Sequence, residues 1–203
     1  MESKGIKLNI GCGRQKVDEF IGLDFLKDSA ADIVANVITL PVRNNSCSVI
    51  LADQLLEHFE SPCDLLDEIH RALIPQTGLF IMTVPLVGAW CAHQDLSHKM
   101  ITDTRAWHAL LDGYFEYIEL NPQGVKFRGA PQEFIEKQEE LVKKGFYDLA
   151  EIMEFACGRK RAIPERRWNP QPWRVHEEEK LKARLKKEIK EEILLELKKA
   201  GKI

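Results

Sequence analysis

Residues Ile6-Lys7-Leu8-Asn9-Ile10-Gly11-Cys12-Gly13 end an apolar run in two glycines one residue apart, and Ile21-Gly22-Leu23-Asp24 closes a second short apolar run with an acid. Strand, glycine turn, strand, carboxylate is the order in which a doubly wound α/β fold holds a nucleoside at the carboxyl ends of its strands. The glycines let the backbone turn tightly and approach a ligand. The carboxylate can accept hydrogen bonds from both hydroxyls of a ribose.

Working outward, Asp32-Ile33-Val34-Ala35-Asn36 reads as a third short strand, followed by Leu40-Pro41 and a polar turn, Arg43-Asn44-Asn45-Ser46. A fourth strand, Ser48-Val49-Ile50-Leu51-Ala52, runs into Asp53-Gln54-Leu55-Leu56-Glu57-His58-Phe59. Leu65, Leu66, Ile69 and Leu73 recur at helical spacing and predict an amphipathic helix over Pro62–Leu73, with Ser61 as N-cap. Leu79–Val84 is continuously apolar, as a parallel strand covered on both faces should be. Pro85–Lys99 reads as a loop. Thr102 or Asp103 caps a helix through Leu111, Tyr114–Leu120 forms a sixth strand stopped by Asn121-Pro122, and Pro131–Phe155 reads as mostly helical.

With these elements in order over about residues 6–120, the chain resembles the class I S-adenosylmethionine-dependent methyltransferases, among them small ones of the methyltransferase type 11 kind. The resemblance rests on the strand ending in Gly-x-Gly, the acid closing strand two, the polar residue before a Leu-Pro turn, and the strand running into Leu56-Glu57-His58-Phe59. Two departures stand out. Only Arg14–Phe20 separates the glycine turn from strand two, so the usual crossover helix is compressed to a loop, and Ser48 stands where the family's fourth strand often opens with aspartate. A nicotinamide dehydrogenase shares the opening logic, but its fingerprint wants a third glycine where this chain has Lys16.

The resemblance implies a Rossmann-like, doubly wound, mostly parallel sheet with helices on both faces. It implies S-adenosyl-L-methionine as cofactor. Gly11 and Gly13 line its methionine end, with Cys12 between them as a small packing residue, and Asp24 meets the ribose. Asn36 meets the adenine with Val37 as an apolar wall, while Asp53 and Gln54 sit over the methionine or the substrate mouth. Glu57-His58 matches the family's acid–histidine pair and could be structural. The loop after strand five is where acceptors enter, and Asp95-Leu96-Ser97-His98 matches an Asp-x-x-His element there. His98 is expected as general base, Asp95 as its orienting carboxylate and His93 as a neighbour. These three could also face a metal, but no fourth ligand is indicated and none is expected. The implied activity is methyl transfer to a small molecule or sugar hydroxyl; the alternative is a non-catalytic cofactor-binding module on the same fold.

Composition bounds the rest. The chain has 203 residues, enough for one domain with a substantial core, expected over residues 1–175 with a charged C-terminal helix over 176–203. Leu181, Leu185, Ile189 and Ile193 recur in that helix every four residues, a drifting row that could dock, form a homodimer or stay solvated. Residues 1–156 carry 14 basic and 24 acidic side chains, net −10, and residues 157–203 carry 15 and 8, net +7. An acidic body argues against nucleic acid as partner. The longest apolar runs fall short of a membrane span, the N-terminus lacks a signal-peptide layout, and five scattered cysteines suit a reducing cytoplasm.

Overall fold

The computed structural model describes residues 5–123, 132–145, 150, 152–162 and 164. The C-terminal helix expected over 176–203 lies outside the described residues, as does the boundary at 175.

Among the described residues, seven strands form one sheet in the order β3-β2-β1-β4-β5-β7-β6. They are β1 (Ile6–Ile10), β2 (Ile21–Asp24), β3 (Ile33–Val34), β4 (Cys47–Asp53), β5 (Leu79–Pro85), β6 (Phe115–Gln123) and β7 (Ile152–Lys160). Strands β1 to β5 pair in parallel, while β7 runs antiparallel to both β5 and β6. Strands β2 and β3 lie to one side of β1 and the later strands to the other. The order therefore reverses between β1 and β4, where an open α/β sheet leaves a crevice at its carboxyl edge.

Among the described residues the helices lie beyond β4. A 3₁₀ turn (Leu56–His58) and α1 (Cys63–Ala72) join β4 to β5, and α2 (Trp90–Gln94) and α3 (Thr104–Asp112) precede β6. The helix α4 (Gln132–Lys143) lies before β7. The links β1–β2, β2–β3 and β3–β4 are loops, as the compression noted at Arg14–Phe20 implies. Without helices over these links, Phe25, Leu26 and Val34 stay exposed on that side of the molecule.

The core forms where the strand and helix patterns agree. Leu8, Ile10, Leu23, Ile50, Phe80 and Met82 from the strands meet Leu65, Leu66 and Ile69 of α1 and Trp107 and Leu111 of α3, all fully buried. Phe80 and Phe115 stack at 5.8 Å.

A short helix, α2, forms within the stretch read as a loop, and three boundaries differ from expectation. Pro62 takes the N-cap of α1 with no side-chain cap, its carbonyl accepting Leu66 N–H at 2.8 Å, so Ser61 does not cap. Strand β6 continues through Asn121-Pro122 because it is the sheet edge, where a residue without N–H is tolerated. The stretch read as helix through Phe155 turns into β7 at Ile152, since Met153, Phe155 and Cys157 alternate into the core at period two. Asp103 does cap α3, accepting Ala106 N–H at 2.8 Å.

The end of β7 is tied to the helices. Arg161 Nε donates to the Asp112 carbonyl at 2.7 Å, and Lys160 Nζ donates to the His70 carbonyl at 2.9 Å. His70 Nε2 lies 2.7 Å from the Arg161 carbonyl, which only accepts, so that nitrogen carries the proton. Burial lowers the His70 pKa, helped by the Lys160 charge.

Candidate active site

The glycine turn sits at the carboxyl end of β1, beside the crevice. Gly11 has φ +64° and Gly13 φ +52°, the left-handed region that side chains resist. A Cβ on Gly11 would lie 2.6 Å from Leu55 Cδ1, so that glycine is needed for both conformation and space. A Cβ on Gly13 would meet nothing within 4 Å. Gly13 is thus required by its backbone angle, and the space beside it is open.

Asp24, at the end of β2, braces that turn. Its Oδ2 accepts Gly13 N–H at 2.8 Å and its Oδ1 accepts Leu26 N–H at 2.9 Å, with the side chain 5% exposed. Each oxygen keeps a further lone pair. Cys12 is buried, which with the Asp24 charge raises its thiol pKa and keeps it protonated. Protonation removes it as a nucleophile and fits its reading as a packing residue.

Asn36 and Val37 follow β3. Asn36 Oδ1 accepts Ile38 N–H at 3.1 Å in a local turn, which leaves its amino group and one Oδ1 lone pair for a ligand. Val37 is buried. The turn after it is fixed from α1. Arg71 pairs with Glu68 through two bonds, Nε to Oε2 at 2.8 Å and Nη2 to Oε1 at 2.7 Å. Glu68 Oε1 also accepts Leu40 N–H at 2.7 Å, and Arg71 Nη1 donates to the Val42 carbonyl at 2.9 Å. The Arg71 guanidinium holds the Glu68 carboxyl below its ordinary pKa.

Across the crevice, Asp53 ends β4 and accepts a short hydrogen bond from the Thr83 hydroxyl of β5. Thr83 Oγ1 in turn accepts from Gln54 N–H and Gln54 Nε2, both at 3.1 Å. Gln54 holds φ +50°, a left-handed non-glycine residue where β4 leaves the sheet. Neither Asp53 nor Gln54 caps the following 3₁₀ turn, which has no side-chain cap. A cavity of about 320 Å³ lies at the switch point, lined by Asn9, Gly11, Cys12, Arg14, Gln15, Val17 and Asp53. Three expected residues, Gly11, Cys12 and Asp53, share this wall. Asp24 and Gly13, bonded to each other, and Asn36, in the loop after β3, are not among the lining residues.

Above β4 and β5 a second constellation closes. Lys99 N–H and Met100 N–H both donate to the Glu57 carbonyl, at 2.8 and 3.0 Å, clamping the loop after β5 onto the 3₁₀ turn. That clamp brings His58 and His98 together, ring centroids 4.9 Å apart. His98 Nδ1 lies 3.0 Å from the Ala92 carbonyl, and its Nε2 lies 4.0 Å from Glu57 Oε1 and 3.9 Å from Asp95 Oδ2. Glu57 is fully buried, and neither of its carboxylate oxygens has a hydrogen-bond partner. Burial pushes its pKa up to about 7, with the Asp53 and Asp95 charges adding to the rise.

Asp95 serves His58 as well as His98. Ser97 Oγ donates to Asp95 Oδ1 at 2.6 Å and lies 3.0 Å from His58 Nδ1. The Ser97 bonds keep the Asp95 carboxyl below its ordinary pKa. His93 stands apart from this group: its ring is exposed and its Nε2 contacts the Val87 carbonyl at 2.8 Å.

Several residues of the two sites went unmarked in the sequence. Asn9, Arg14, Gln15 and Val17 join the cavity because the loop replacing the crossover helix folds back over β1. Asn9 was the one with a signal, a polar side chain within an otherwise apolar strand. Phe25, 72% exposed directly after Asp24, offers an aromatic face at the carboxyl end of β2. Ser97 was quoted within the Asp-x-x-His element, but its role needs the approach of His58, 39 residues away in sequence.

A family model described as a methyltransferase domain matches residues 14–82. Solved structures show the same architecture. An S-adenosylmethionine-dependent methyltransferase from Archaeoglobus fulgidus superposes with TM-score 0.55 at 14% identity, covering 79% of this chain and 87% of that one. One from Thermotoga maritima gives 0.55 at 14%, covering 79% and 84%. Phosphoethanolamine N-methyltransferase 2 of Haemonchus contortus, in complex with S-adenosyl-L-methionine, gives 0.53 at 16%, covering 79% of this chain and 50% of its own. No curated protein matches the chain. The chain therefore has the fold of class I S-adenosylmethionine-dependent methyltransferases, and a methyltransferase-domain model matches its residues 14–82. No helix among the described residues is long and apolar enough to cross a membrane.

Proposed function

We propose that this protein transfers a methyl group from S-adenosyl-L-methionine to a hydroxyl of a small molecule or sugar. The observation that carries the cofactor half is the cavity at the β1/β4 switch point, lined by the Gly11–Cys12 turn and Asp53. Gly13 leaves room where a ligand chain can lie against backbone. Asp24, held by two N–H donors, offers its remaining lone pairs to the ribose hydroxyls. Phe25 gives a flat apolar surface to a purine, Val37 an apolar wall, and the Asn36 amino group a donor to a ring nitrogen. Asp53, with Gln54 beside it, faces the amino end of the methionine.

When bound, the cofactor supplies a methyl group on a sulfonium, open to in-line displacement. The chain must then place an acceptor oxygen and take its proton. The groups available are His98, expected as the base, with Asp95, Glu57 and His58 around it. His98 is only 8% exposed, whereas His58 is half-buried and held through Ser97 by Asp95, so the acceptor meets the cluster through His58. His93 contributes at most to the rim of the loop. An acidic body suits a neutral acceptor better than a polyanion.

Isothermal calorimetry tests the cofactor half. S-adenosylmethionine or its demethylated product should bind at micromolar affinity, about −8 kcal/mol. Binding of NAD with neither sulfur nucleoside would overturn the reading. A screen of sugars and small hydroxylated compounds for methylated product tests the acceptor half. Product on amines alone would exclude the hydroxyl, and cofactor binding with no transfer to any acceptor would leave a non-catalytic module.

A further inference from the structure

Glu57, His58 and His98 come together in a way that neither core packing nor base catalysis requires. One ligand atom from each lies within 4.8 Å of the other two. The hydrogen bonds around the rings fix which nitrogens face inward. The Ala92 carbonyl can only accept, so His98 Nδ1 carries a proton and, in the neutral ring, Nε2 is bare. Ser97 gives its single proton to Asp95, so its oxygen accepts from His58 Nδ1–H and leaves His58 Nε2 bare as well.

The bare His98 nitrogen thus faces a buried carboxylate with no hydrogen-bond donor at either oxygen. Lone pairs that converge without a proton between them repel, and a buried carboxylate is normally paired. A cation at their centre resolves both problems. A proton on Glu57, which its burial favours, would cancel the charge but reach no acceptor, because the 4.0 Å to His98 Nε2 exceeds a hydrogen bond. A bound cation would meet all three groups.

The surroundings have the form of a metal site's outer layer. Each imidazole is held at its other nitrogen, one by a backbone carbonyl and one by a hydroxyl bonded to a carboxylate, which is how metal-binding histidines are oriented. The Glu57 carbonyl, gripped by Lys99 and Met100, fixes the two segments against each other. Ligands about 2.1 Å from a tetrahedral ion sit about 3.4 Å apart, so small side-chain movements close the site.

We propose that Glu57, His58 and His98 bind one divalent first-row transition-metal ion, with coordination positions left open beside the half-buried His58. Two imidazoles and one carboxylate suit zinc or ferrous iron, and disfavour magnesium and calcium, which prefer all-oxygen sites. The open positions would take an oxygen of the methyl acceptor and lower its pKa. That consequence rests on the methyltransferase reading; binding of the ion does not.

The experiment uses the full chain, stripped with a chelator and titrated calorimetrically with zinc chloride, with metal content then measured by mass spectrometry after gel filtration. One zinc ion per chain is expected. Cobalt(II) should give visible absorption bands of a low-coordinate nitrogen–oxygen site. His98→Gln and Glu57→Gln should each weaken zinc binding at least 100-fold, and Ser97→Ala, which touches no ion, about 10-fold. Cofactor binding, measured separately, should be unchanged in Ser97→Ala and His58→Gln, which reports on folding should the buried Glu57 variant misfold. Less than stoichiometric binding of zinc, iron and cobalt would overturn the proposal. So would wild-type zinc affinity in both the His58→Gln and His98→Gln variants, which would place the ion elsewhere. Either result leaves the cofactor measurement standing.

Discussion

Gly13 donates its backbone N–H to Asp24 Oδ2 at 2.8 Å, so the acid that closes β2 also sets the shape of the turn that closes β1. One carboxylate therefore joins two adjacent strands at their carboxyl ends, where the sheet opens toward the cavity. Asp24→Asn keeps the shape but replaces one acceptor with an amino group, which would face an N–H. Asp24→Ala removes both acceptors. Cofactor affinity should fall by about 1.5–3 kcal/mol in the alanine variant, the scale of hydrogen bonds to a charged group, with the asparagine variant in between. Calorimetry with S-adenosylhomocysteine reads this directly. Equal affinity in all three proteins would remove Asp24 from the site.

The two glycines of the turn should separate in their effects. Gly11→Ala sets a Cβ 2.6 Å from Leu55 in a left-handed conformation, so it should destabilise the fold by about 2–4 kcal/mol. Gly13→Ala carries only the conformational strain, about 1–2 kcal/mol, yet its methyl points into open space beside the turn. Denaturant unfolding should rank Gly11→Ala as the less stable variant. Gly13→Ala should lose cofactor affinity out of proportion to its stability. A Gly13 variant that binds normally would place the cofactor away from this turn.

His70 predicts a pH dependence of stability. Its folded pKa lies below the ordinary value near 6.5, because burial and Lys160 oppose the charged ring. As pH falls through 6.5, the unfolded chain takes up this proton before the folded one does, so stability drops. Above 6.5 the group contributes no slope. His70→Gln keeps a donor for the Arg161 carbonyl and should flatten that part of the profile. Urea midpoints between pH 5 and 8 check it, and an unchanged slope in the variant would assign the loss to another group.

The parts of the fold legible in the sequence are those that local chemistry decides. Gly11, Gly13 and Asp24 are dictated by backbone angle and by hydrogen bonds within a 14-residue stretch, and the strands up to β5 show in their apolar runs. Strand β7 was hidden because its alternation begins inside a stretch rich in glutamate and lysine that reads as helix. Its partners, β5 and β6, are separated from it by tens of residues. The histidine cluster was half legible. The Asp95-x-x-His98 spacing is visible, but His58 joins it only because the Glu57 carbonyl captures the loop after β5. The cavity residues Arg14, Gln15 and Val17 read as spacer, since nothing local says that a shortened crossover folds back over the sheet.

The loop after β5 yields the last expectation. His98 holds its Nδ1 against the Ala92 carbonyl and turns Nε2 into the cluster, 4.0 Å from Glu57 and 3.9 Å from Asp95, while His93 points its Nε2 at the Val87 carbonyl, away from it. His98→Gln should therefore bind S-adenosylmethionine with wild-type affinity but transfer the methyl group about 10²–10⁴-fold more slowly, the usual loss when acceptor deprotonation is disabled. His58→Gln should fall in the same range, because it is the histidine nearer solvent. Ser97→Ala leaves both rings in place but frees His58 to rotate, and should cost less. His93→Gln should change the rate by no more than a few-fold. Single-turnover measurements with the acceptor found by screening separate chemistry from binding. Unchanged transfer in both the His58 and His98 variants would mean that the acceptor needs no proton removed, leaving placement of the two reactants as the whole of the catalysis.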